Sequence, residues 1–167
     1  AWYTIGVSFY LASQYEKAIA PLSRYLDIAT KAKREVDPSA RTALARSFFF
    51  LERYDEALPL LAANEAEKPS GADKSKDVAA NFYYQGVIYF KREDDLRASA
   101  ALRESVKANP QDPAAIELLA ESLMRRARKT NSAAVWNEAA EAITGSRSNT
   151  RLEMCTRSTP SSDSALA

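Results

Sequence analysis

Residues 82–110 read FYYQGVIYFKREDDLRASAALRESVKANP, and this stretch decides the fold. Gly86 is followed three residues later by Tyr89, twelve later by Ala98 and sixteen later by Leu102. Spacings of three and four place residues on one face of a helix. The polar run around Arg92–Asp94 separates two such amphipathic segments. The stretch therefore predicts two helices joined by a short turn, with Pro110 closing the second because proline cannot continue a helix. Gly86 is small where the partner helix must approach, Ala98 serves the same end from the second helix, and Tyr89 fills the space beside them.

Upstream the pattern occurs twice more. Gly6, Phe9, Ala18 and Leu22 form one copy, and Ala45, Phe48, Ala57 and Leu61 another, with turns expected near Ser13–Gln14 and Glu52–Arg53. A weaker fourth copy begins at Ile116 with Leu119, Ala120 and Leu123, and its turn, KTNS, is long. The copies start 39, 41 and 34 residues apart, at Trp2, Arg41, Phe82 and Ile116. The extra length is assigned to a second helix running on through Lys31, Lys33 and Arg34, and to the polar insert SGADKSKD after Pro69. Pro38 and Pro113 suit the first turn of a helix. Pro21 and Pro59 are read near helix starts, where a missing N–H costs least, and Pro69 as a helix stop.

Trp2, Ile5, Gly6, Phe9 and Ala18, and again Phe82, Gly86, Tyr89, Ala98 and Pro110, resemble the signature of the tetratricopeptide repeat (TPR) family. The resemblance covers about residues 1–143. It implies an all-α chain, a right-handed superhelical solenoid of stacked antiparallel helix pairs, with repeats at about 1–37, 38–73, 74–111 and 112–143. Residues 144–167, rich in Ser, Thr and Arg, are expected to be a polar disordered tail. Departures from the signature are Gln85 in place of Leu, and Tyr25, Asn64 and Ser105 in place of a second small Ala. The fourth copy reads as degenerate or capping.

In this family the first helix of each pair lines a concave groove that usually binds peptides. Helical spacing puts Tyr3, Val7, Tyr10 and Leu11 on that face, then Thr42, Arg46, Phe49 and Phe50, then Tyr83, Val87, Phe90 and Lys91, then Glu117, Glu121, Met124 and Arg125. The expected peptide-binding residues are Tyr3, Tyr10, Arg46, Phe49, Tyr83, Val87, Phe90 and Lys91. Tyrosine and phenylalanine give large contact area with few rotamers to freeze. Arg46 and Lys91 are read as groups that orient an acidic part of the ligand. A carboxylate clamp of the kind some TPR domains use is not expected, since Tyr3, Val7 and Thr42 occupy three of the matching places.

Composition narrows the function classes. With 23 Lys plus Arg against 22 Asp plus Glu, the net charge is +1, which lacks the basic excess of a nucleic-acid binder. There is no His and one Cys, Cys155, so no Ser-His-Asp triad, disulfide or Cys-rich zinc site is available. Four Gly at 6, 71, 86 and 145 make no phosphate-binding loop. The expectation is a non-enzymatic protein-binding scaffold without cofactor or metal. Two other readings stand beside it: a recruiting segment of a larger enzyme or signalling protein, and an RNA-binding helical repeat. The uncharged stretch Ala1–Tyr15 lacks the basic start of a signal peptide and is too short to span a bilayer, so it reads as a buried helix. The absence of Met at position 1 suggests a fragment or processed chain, and Trp2 and Tyr3 offer a surface for self-association. The runs KREDD (91–95) and RRARK (125–129) read as a solvated turn and a basic helix end.

Overall fold

A computed structural model describes residues 1–66 and 74–144. Among these the chain is all-helical: α1 (Trp2–Leu11), α2 (Tyr15–Lys31), α3 (Pro38–Phe50), α4 (Tyr54–Ala66), α5 (Lys74–Lys91), α6 (Asp95–Ala108) and α7 (Pro113–Thr130). An eighth helix, α8, covers residues 133–144. Pro69, Cys155 and nearly all of the polar tail lie outside the described residues.

Local chemistry sets the boundaries. Asp37 Oδ1 accepts from Ser39 N at 2.8 Å, and Asp112 Oδ1 accepts from Ala114 N at 3.1 Å; each side chain satisfies an N–H that the first turn leaves without a carbonyl. Pro38 and Pro113 follow these caps directly, where their fixed φ helps and no N–H is missed. Three helices end alike. Ser13, Glu52 and Glu93 have φ of 57°, 59° and 59°, and each lies seven residues beyond Gly6, Ala45 or Gly86. The next residue's N–H reaches back to Phe9, Phe48 or Tyr89 O at 2.9–3.0 Å. This left-handed stop satisfies carbonyls the last turn would orphan. Lys33, at φ 51°, makes the same stop after α2, so that helix ends at Lys31 and does not run on through Arg34.

Pro21 and Pro59 lie deeper than expected. Pro21 is the seventh residue of α2 and Pro59 the sixth of α4, past the four N–H groups that lack intrahelical partners. Each therefore removes a bond its helix would otherwise make. Pro21 is buried, which offsets part of that cost.

Consecutive helices pack as pairs, and α1 also touches α3, α3 touches α5 and α5 touches α7. Among the described contacts α2, α4 and α6 do not meet. The odd helices thus form one layer and the even helices another. The spaced pattern makes the pairs. A Cβ placed on Gly6 would lie 2.5 Å from Leu22 Cγ, and one on Gly86 would lie 2.5 Å from Leu102 Cγ. Ala18, Ala57, Ala98, Leu22, Leu61 and Leu102 are all 0% exposed. One core cluster joins α1–α4 and reaches Ile88 of α5; a second joins Leu102, Leu119, Leu123 and Ala127 to Val135 and Ala139 of α8. Arg103 and Glu138 tie α6 to α8. Contrary to expectation α1 is not buried. Gly6 is its one buried residue, and Trp2, Ile5 and Leu11 stay exposed.

Candidate functional site

The odd helices, with Tyr15 from the start of α2, bring aromatic rings into a continuous row. Tyr10 lies 6.1 Å from Tyr15, and Tyr15 stacks on Phe50 at 4.6 Å with 19° between planes. Phe50 meets Phe49 at 5.5 Å, Phe49 meets Tyr84 at 4.7 Å, and Tyr84 meets Tyr83 at 5.8 Å. Phe50 remains 44% exposed and Leu11, at the equivalent place on α1, 75%. Tyr10, Phe49 and Tyr84 are half-buried against the first core cluster.

The expected site residues divide on this surface. Tyr10, Phe49 and Tyr83 belong to the row. Tyr3 does not: its ring lies 5.5 Å from Tyr25, and its hydroxyl is turned to the start of α3. Burial, and then the Asp37 carboxylate, raise its pKa. Phe90 sits beneath the Arg125 guanidinium at 4.2 Å, and Val87 is half-buried on the same side of α5. Sequence spacing left out Tyr15 and Tyr84, which close the row's gaps. Burial raises the Tyr84 pKa, and Arg46, 5.3 Å over its ring, opposes that shift. Tyr83 is raised by burial and by Asp112. The signal for Tyr84 is the run Phe82-Tyr83-Tyr84, because three adjacent rings cover most of a helix's circumference.

The second layer touches the first at one recurring place. Tyr15, Tyr54 and Asp95 each stand nine residues after Gly6, Ala45 or Gly86. Each meets the next odd helix at Phe50, Lys91 or Arg125, five residues after Ala45, Gly86 or Ala120. The chemistry changes along the chain. Tyr15 stacks on Phe50; Lys91 Nζ donates to Tyr54 Oη at 2.8 Å; Arg125 Nε lies 3.0 Å from Asp95 Oδ1. The last contact is an ion pair without hydrogen-bond geometry, since Asp95 Oδ1 has no hydrogen-bond partner. Lys129 supplies one to the other oxygen at 2.7 Å.

These contacts correct one reading and add to another: RRARK does end α7 with basic residues in its last turn. KREDD is not simply a solvated turn: Asp95 is 4% exposed, Arg92 reaches Asp55 at 2.6 Å, and Lys91 lies 3.4 Å from Glu52. Two cations of RRARK, Arg125 and Lys129, are held by Asp95. Hydrogen bonding to Tyr54 is the leading cause of a raised Lys91 pKa. Arg46 lies 3.6 Å from Asp77, with its Nε buried and without a hydrogen bond. The cations read as ligand-orienting groups thus already face carboxylates of this chain.

No family model matches the chain, and no curated protein matches it.

On the opposite side of α5, by helical spacing, a cleft of about 290 Å³ is lined by Phe82, Gln85, Tyr89, Arg97, Ala100, Ala101 and Glu104. Gln85 stands there in the place that Leu44 and Leu119 fill in neighbouring copies. Among the described residues no group of three His, Cys, Asp or Glu is placed to hold a metal, and no helix is long and apolar enough to cross a membrane. What the aromatic row offers chemically is contact area.

Proposed function

We propose that the chain is a TPR-like protein-interaction module whose pairs stack as a right-handed solenoid, and that it binds an extended segment of a partner protein across the odd helices. The observation that carries this reading is the aromatic row with Phe50 and Leu11 left exposed on its rim. A face meant only for solvent gains nothing from such rings, whereas rigid aromatic anchors are the common energetic centres of interfaces. Tyr10 and Phe49 anchor the row to the core, and Phe50, Leu11, Tyr83 and Phe90 present the contact surface. Binding is by shape and apolar contact, with no chemical step. Pairing of Arg46, Lys91, Arg125 and Lys129 with carboxylates speaks against an RNA groove, which needs free cations.

The test is affinity capture from the source lysate with three baits: wild type, Leu11→Ser/Phe50→Ser, and Leu96→Ser. Leu96 is 61% exposed on α6 and controls for surface hydrophobicity alone. A partner kept by wild type and Leu96→Ser, and lost by Leu11→Ser/Phe50→Ser, supports the reading. A partner lost only with Leu96→Ser moves binding to the even helices.

A further inference from the structure

The groove's two ends differ in a way that names the chemistry of its ligand, given the peptide-binding reading above. The row of equivalent positions across α1, α3, α5 and α7 runs Leu11, Phe50, Lys91, Arg125, so one end is apolar and exposed and the other is charged. Each of the cations Arg46, Lys91 and Arg125 lies within 3.6 Å of a carboxylate: Asp77, Glu52 and Asp95 respectively. Glu117 and Glu121, exposed on the groove side of α7, have no ion pair or hydrogen bond among the described residues. Arg125 would ordinarily pair with Glu121, four residues before it, but it is turned to Asp95. Arg128, also on this side, lies about 10 Å beyond Glu121, in the last turn of the helix. Asp95 holds both Arg125 and Lys129, so that cluster keeps one positive charge in excess. Glu117 and Glu121 outweigh it by one, and the balance beside Glu117 and Glu121 is negative.

We infer that the groove takes partner segments that combine a bulky apolar residue with a lysine or arginine about six to seven residues away. The apolar residue seats on Phe50, Leu11 and Tyr15, and the cation meets Glu117 and Glu121. The separation follows from two steps between neighbouring odd helices, roughly 20 Å in all, plus at least about 6 Å along the helix axis. An extended chain covers that in six to seven residues. This reverses the sign expected from Arg46 and Lys91 on sequence alone.

A phage-displayed random dodecapeptide library, selected on the full chain, tests both parts. Selected peptides are expected to carry the apolar–basic pair at that spacing. They should bind the folded Glu117→Lys/Glu121→Lys variant at least about tenfold more weakly, as reversal of two charges at an interface implies. Enrichment of Asp or Glu, or indifference to the reversal, overturns the charge assignment. In that case loss of binding with Leu11→Ser/Phe50→Ser still upholds the groove. Failure to select any binder, or binders indifferent to Leu11→Ser/Phe50→Ser, overturns both. Circular dichroism of each variant excludes unfolding as the cause.

Discussion

Replacing Gly86 with Ala sets two effects of opposite sign against each other. Alanine in a helix interior is favoured over glycine by about 1 kcal/mol. The added Cβ, however, would lie 2.5 Å from Leu102 Cγ and 2.7 Å from its Cδ2. Carbon atoms sit comfortably at about 3.5–4.0 Å, so α5 and α6 must part by about 1 Å. The atom struck first is the branch carbon of a side chain that is 0% exposed, so a change of tip rotamer does not relieve it. Overpacking of this kind costs about 1–3 kcal/mol, and the upper half of that range applies to an enclosed leucine. The net expectation is a loss of about 1–2 kcal/mol after the gain in helix propensity. The assay is urea unfolding followed by circular dichroism at 222 nm, comparing midpoints at constant m. Leu102→Ala alone should cost about 2–5 kcal/mol. In that background Gly86→Ala should change sign and stabilise by about 1 kcal/mol, because only propensity remains. Equal stability of Gly86→Ala and wild type, or the same penalty in both backgrounds, would refute the close approach of these helices.

Ser13→Gly should stabilise the chain by about 0.5–1 kcal/mol, because Ser13 holds φ 57° where only glycine is unstrained; thermal unfolding checks this. Asp95→Ala should cost about 2 kcal/mol in urea unfolding, less than a fully buried pair, because Lys129, 56% exposed, can turn to water. Stability should fall as pH rises past 10.0. Tyr3, Tyr83 and Tyr84 have folded-state pKa values above that ordinary value, so the unfolded chain loses their protons first. Tyr84→Phe should weaken the fall, read from unfolding midpoints across that range together with ultraviolet titration of phenolate. Stability that rises or stays flat past pH 10 would contradict the burial of these rings.

Much of the helical layout was legible because its cause is local. The sixteen-residue step from Gly86 to Leu102 brings one small and one large residue face to face across a turn, and the same step from Gly6 meets Leu22. Asp37-Pro38 and Asp112-Pro113 announce helix starts by the chemistry of two residues. Contacts between pairs were harder to read. Tyr84 occupies a position where Ala43 stands one copy earlier, and its place between Phe49 and Tyr83 depends on how α3 and α5 lie together. Asp95 looked like one more charge in a polar run. Its burial depends on Arg125 and Lys129, 30 and 34 residues onward, and the same pairing takes both cations out of the basic run. Neighbouring positions cannot reveal which charges pair across a junction, so Asp77 and Glu52 as the partners of Arg46 and Lys91 were not legible in the sequence.

The most direct test of the binding face uses a photo-reactive benzoylphenylalanine in place of Phe50 in one sample and Leu96 in another. Both positions are exposed, one on the ring row and one on the even-helix side. After irradiation in source lysate, the expected result is a discrete partner adduct from position 50 and none from position 96. An adduct from position 96 alone, or equal adducts from both, would contradict a binding groove on the odd helices.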